Sequence, residues 1–132
     1  MELSKWKRRR FTPEWGDNHL EDEPCVVVFS PPSVGWMARW RALAISAPEL
    51  SAERASEEGF VDTIKEWADK IHGFRSEMLE DLVLGVDQLT LDGKTIDRSQ
   101  ALEFIMDNEG LRDEIFAAVL AEGVLTKDEG KS

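Results

Sequence analysis

Two histidines, one cysteine and several adjacent carboxylate pairs are the residues of this chain with chemistry to offer, and their spacing decides what that chemistry could be. A zinc site needs three or four converging ligands, whereas His19 stands in a polar loop, His72 beside Ile71 in a helical stretch, and Cys25 against the apolar run Val26–Phe29. Neither a zinc centre nor a Ser, Cys or Thr nucleophile with a base in reach is expected. His72 reads as a structural histidine or a helix C-terminal cation. Cys25 has no second cysteine to pair with and reads as a buried free thiol suited to a reducing compartment. The pairs Glu57-Glu58, Glu80-Asp81 and Asp113-Glu114 diverge by about 100° on a helix and read as solvated-face charges. Asp92-Gly93 lacks the alternating ligands of a calcium loop, because Thr90, Lys94 and Ile96 fall where oxygen ligands belong. The nine glycines are scattered, so no phosphate-cradling loop is present. The residue types therefore predict no catalytic, cofactor-binding or metal-ligating set, and favour binding.

Binding has two further signals, tryptophan and charge. There are five tryptophans and no tyrosine. Trp36, Trp40 and Trp67 fall on apolar helical stripes and are expected in the core, while Trp6 and Trp15 fall outside such stripes and read either as a packing lid or as partner-facing anchors. The net charge is −11, but residues 1–10 carry Lys5, Lys7, Arg8, Arg9 and Arg10 against Glu2, so this tip is +4 and the remainder −15. Such a body repels nucleic acid. The tip itself is compatible with a solvated arm, a docking site for an acidic protein surface, or a nucleic-acid contact. No stretch approaches the ~18 apolar residues of a membrane span, and the first residues lack a signal-peptide apolar core.

At 132 residues, 42% apolar and 33% charged, the chain suits a single domain. The expected fold is α+β, mainly α: a basic flexible arm over 1–9, a two-stranded β element over 10–32, a helical body of four to five amphipathic helices over 33–123, and a disordered tail over 124–132. Arg10 to Thr12 reads as a strand ended by Pro13, Trp15-Gly16-Asp17-Asn18 as a turn, and Pro24 to about Ser30 as a second strand. Ser33 is the expected N-cap of a helix to Ala47. Phe60, Ile64, Trp67 and Ile71 carry the next helix, with Gly73 as its C′ residue or a kink, and Phe74, Met78, Leu79 and Leu82 carry the apolar face onward as a second helix or a continuation to about Val83. Val86 to Leu91 alternates toward an Asp92-Gly93 turn and reads as a short strand or an extended crossing segment. Asp97 and Gln100 form a capping box for a helix bearing Ala101, Leu102, Ile105 and Met106. A last helix carries Leu111, Ile115, Ala118 and Val119 and stops at Gly123.

Three segments carry a family resemblance: RRRFTPEWGDN with its acidic linker and valine-rich strand; LVLGVDQLTLDGKTI; and ALEFIMDNEGLRDEIFAAVLAEGVLTKDEGKS. The chain resembles the small tail assembly chaperones of long-tailed bacteriophages and prophages. The resemblance implies a protein of the infected cell's cytoplasm that coats the tape-measure protein, helps recruit tail-tube subunits and leaves the finished tail. It brings no catalytic residues, is compatible with self-association, and in many relatives comes with a longer frameshifted form. The partner-facing residues expected on this reading are Trp6, Arg8, Arg9, Arg10, Phe11 and Trp15, with Phe116 and Leu120 as exposed positions of the final helices. The alternatives are a structural head-tail or tail component and a small nucleic-acid-binding regulator using the basic tip.

Overall fold

The computed structural model describes residues 8–48 and 55–129, with side chains through Gly123. Trp6 lies outside the described residues. The fold is α+β and mainly helical: β1 (Arg9–Phe11), a 3₁₀ segment (Trp15–Leu20), β2 (Val26–Phe29), α1 (Val34–Ile45), α2 (Phe60–Leu82), β3 (Val83–Asp87), β4 (Thr90–Leu91), β5 (Lys94–Thr95), α3 (Arg98–Asp107) and α4 (Glu109–Glu129). No helix among the described residues is long and apolar enough to cross a membrane.

The expected two-strand element gains a third strand. β2 is the centre of an antiparallel sheet ordered β1-β2-β3, with Phe11 opposite Val27 and Val27 opposite Val86. Val27 and Phe29 are buried while Val26 and Val28 are half-buried, so the run has one core face despite its uniform composition. The register slips between Val28 and Phe29, leaving Leu84 exposed at the irregularity. Behind the sheet lies a core of Phe74, Met78, Leu79, Ile105, Ile115 and Val119 with their neighbours. β4 and β5 form a small hairpin. Asp92 and Gly93 both have positive φ, 53° and 79°, as a tight two-residue turn requires.

Local signals set the helix ends. The Ser33 side chain accepts from Trp36 N, and Asp97 and Gln100 close the expected capping box. Arg98 holds the other end of α2, its Nε donating to Val83 O at 2.9 Å and its Nη2 to Glu80 O. Two indoles add polar ties: Trp67 Nε1 donates to Leu43 O at the end of α1, and Trp36 Nε1 to Asp81.

Gly123, expected to end a helix, does not, and at Gly73 the helix continues without the stop or kink that were its alternatives. Gly73 lies inside α2, where a Cβ would meet nothing within 4 Å; packing of Ile71, Phe74, Met78 and Leu79 carries the helix through it. Gly123 lies inside α4, which runs on to Glu129 rather than giving way to a disordered tail at 124. A Cβ there would stand 2.5 Å from Met37 Sδ and 2.7 Å from Pro32 Cγ, so this glycine admits close approach of the strand-helix corner. Alanine gains about 1 kcal/mol of helix propensity over glycine. Overpacking at this contact costs about 1–3 kcal/mol. Gly123→Ala is therefore expected to lower the urea midpoint instead of raising it.

Candidate functional site

The 3₁₀ segment is built by three devices, two of them supplied by the turn residues that the sequence marks and one, the Glu114 cap, by a distant helix. Gly16 and Asp17 take positive φ, 62° and 59°. Asn18 reaches across the loop, donating from Nδ2 to Pro13 O at 2.8 Å and Cys25 O at 3.0 Å while its Oδ1 accepts from Cys25 N at 2.8 Å. Glu114 on α4 accepts from Glu14 N at 2.9 Å and Trp15 N at 3.1 Å. This carboxylate is a cap for the segment rather than a solvated-face charge. Its neighbour Asp113 also departs from expectation, bonding Arg112 at 3.2 Å and Arg75 at 3.5 Å.

Held this way, Trp15 lies over Gly110, where a Cβ would come within 3.3 Å of its ring, and packs edge-on to Phe104 at 5.7 Å. It is 40% exposed and Phe104 36%, so the pair forms a wall open to solvent. Beneath it is a cleft of about 170 Å³ lined by Pro13, Trp15, Cys25, Leu89, Phe104 and Leu111. An adjoining groove continues past Leu89 to Leu91 and Ile96, with Glu103 and Asp107 on its flank. Glu21 lines the cleft and, with Asp22 and Glu23, the opposite side. Among the described residues none of these five carboxylates makes an ion pair. The result is an apolar, partly aromatic depression with a negative rim.

The other expected site residues are scattered. Arg9 Nε bonds Glu122 at 2.9 Å and Arg10 pairs with Asp87 at 3.0 Å, which ties the start of the arm to the body as β1. Arg8 is exposed, and Phe11 is half-buried against the core. Phe116 is not an exposed partner-facing residue. It is 4% exposed, with its ring 5.3 Å from that of Trp40 and 6.3 Å from that of Phe74. Leu120 is half-buried against the same cluster. The α4 stripe turns inward because α1 and α2 cover it, a long-range fact that periodicity alone does not supply.

His72 is not at a helix end either. It lies within α2 with Nδ1 3.3 Å from Nη1 of the buried Arg112, whose charge is also met by Asp113. Among the described residues no group of three or more His, Cys, Asp or Glu could hold a metal ion. The Cys25 thiol, half-buried on the cleft wall, donates to Gln88 O at 3.2 Å. Burial pushes its pKa above the ordinary 9.0, and Glu21 adds to the shift. A raised pKa leaves less thiolate at neutral pH. Cys25 is therefore expected to react several-fold more slowly with a disulfide reagent at pH 8 in the folded protein than in the urea-unfolded chain, with the gap closing as pH rises.

Against models of known protein families, curated proteins and solved structures, the chain has no match.

Proposed function

We propose that the protein is a tail assembly chaperone of a long-tailed bacteriophage, which binds the tape-measure protein in the cytoplasm of the infected cell, assists recruitment of tail-tube subunits and is absent from the finished virion. The segment resemblance described above suggests it, and one structural observation carries it: the Trp15–Phe104 wall with its cleft and groove is an apolar surface left open on a strongly acidic body. An unassembled long helix exposes apolar stripes, and such a depression can cover one turn of them while the surrounding carboxylates keep the complex soluble.

Trp15→Ala is the variant to compare with wild type. Its edge-on pair with Phe104 is worth about 1 kcal/mol, so the free protein is expected to stay folded while co-purification with a co-expressed tape-measure protein falls. A tape-measure protein equally soluble without this chain, or never retained by the wild type, would sink the reading. Mass spectrometry of purified particles separates the alternative of a structural tail or head-tail component, which would appear in stoichiometric amounts. A nucleic-acid regulator is less favoured, because the Arg9 and Arg10 guanidinium groups already face Glu122 and Asp87. A retardation assay at near-physiological salt is expected to show no shift.

A further inference from the structure

We propose that the Trp15–Phe104 cleft is the seat for the basic N-terminal tip of a second copy of this chain, with Trp6 as the inserted ring and Lys5, Lys7 and Arg8 facing the acidic rim. Three observations lead there. The cleft holds about 170 Å³, and its walls are Pro13, Trp15, Leu89, Phe104 and Leu111. A cavity of roughly 150 Å³ takes a single aromatic ring. The cleft itself therefore suits one inserted anchor residue.

Charge complementarity selects the flanks of that residue. Glu21, Asp22 and Glu23 border one side and Glu103 and Asp107 the other, with no ion pair among the described residues to neutralise them. The matching ligand is an aromatic residue set among cations. Lys5-Trp6-Lys7-Arg8 has that composition, on a tip of +4 joined to a body of −15. Arg9 and Arg10 are engaged by Glu122 and Asp87, so the cations preceding them are the ones left to meet a rim.

Direction favours a neighbour over the same molecule. β1 runs from Arg9, opposite Phe29, to Phe11, opposite Val27, and only then reaches Pro13 and the cleft. Followed backward from Arg9, the strand leads away from its own cleft. Trp6 stands three residues before Arg9, about 10 Å of extended chain, so the receiving copy must lie directly beside the start of β1. Such a contact joins two different surfaces, so it is heterologous and propagates head to tail instead of closing a two-fold dimer. Docking between copies needs no phage partner, and so co-purification with a tape-measure protein can fail while self-association survives, and the reverse.

Sedimentation velocity on the full chain tests it. At about 50 mM salt the wild type is expected to show a sedimentation coefficient rising with concentration, and at about 500 mM salt that rise should fade as the pairs are screened. Trp6→Ala should weaken association about 30-fold, the loss typical of an interface anchor. Phe104→Ala, which alters the receiving cleft, should do likewise. The two variants mixed should form a 1:1 heterodimer that grows no further, since one retains a tip and the other a cleft; this outcome requires both to be folded. A wild type that stays monomeric at every concentration at low salt overturns the proposal, as does a Trp6→Ala protein that associates like the wild type.

Discussion

Phe116→Ala is expected to lower the unfolding free energy by about 3–5 kcal/mol, the range for removing a buried aromatic ring. Small domains have about 5–15 kcal/mol in total, so this one change should take the protein close to its folding limit. The ring meets three residues on two helices: Trp40 of α1 edge-on, Phe74 of α2 edge-on, and the Arg75 guanidinium of α2, 5.3 Å from its centre. Its loss opens a hole where α1, α2 and α4 bring Trp36, Trp40, Phe74 and Phe116 together. Phe116→Leu, which keeps most of the apolar volume, should recover most of the loss. Urea unfolding followed by tryptophan fluorescence gives the measurement. An unchanged midpoint in the alanine variant would return Phe116 to the surface as a residue kept for a partner.

Asn18→Ala should cost about 2–3 kcal/mol, because it strips three hydrogen bonds from a partly buried loop and leaves Cys25 N and two carbonyl groups unmet. The effect should be local as well as global. With Pro13 and Cys25 no longer tied, the segment carrying Trp15 loosens and the Cys25 thiol becomes accessible, so its reaction with a disulfide reagent should accelerate at pH 8. Asn18→Asp discriminates between shape and bonding: it preserves size and acceptor but sets a carboxylate against two carbonyl oxygens. It should therefore be no better than alanine. If the aspartate variant matched wild type in stability and in thiol reactivity, the amide would not be the clamp described.

Much of this architecture was legible wherever the determining physics is local. The Val26–Phe29 run, the Ser33 cap, the Asp97–Gln100 box and the Asp92-Gly93 turn each depend on a few neighbouring residues, and each stands as the sequence predicts. Gly123 is no stop, and at Gly73 continuation prevails over a stop or kink, because a propensity penalty of about 1 kcal/mol is outweighed by packing from elements distant in sequence. The pairing of the third strand was not legible for the same reason: Val86 to Leu91 reads as a short strand or an extended crossing, and Val27 finds Val86 across the whole of α1 and α2. The cleft was half visible. Trp15 stood out as an aromatic off any stripe, and Phe104 could have, lying beside rather than on the Ala101–Leu102–Ile105 stripe of α3. Their meeting required knowing that Gly110 leaves room for the indole.

The position of β2 between β1 and β3 has a consequence for how the chain is made. A β1–β2 hairpin alone is marginal in water, and the partner strand that completes the sheet is synthesised more than fifty residues later. Until then Val26–Phe29 presents an apolar strand with an unpaired side, and α4, which anchors Arg9 through Glu122, comes later still. Pairings at such separation form late and slowly. The N-terminal third of a nascent or prematurely ended chain is thus the part most exposed to aggregation, and the intact protein becomes safe from it only when its last helix has docked.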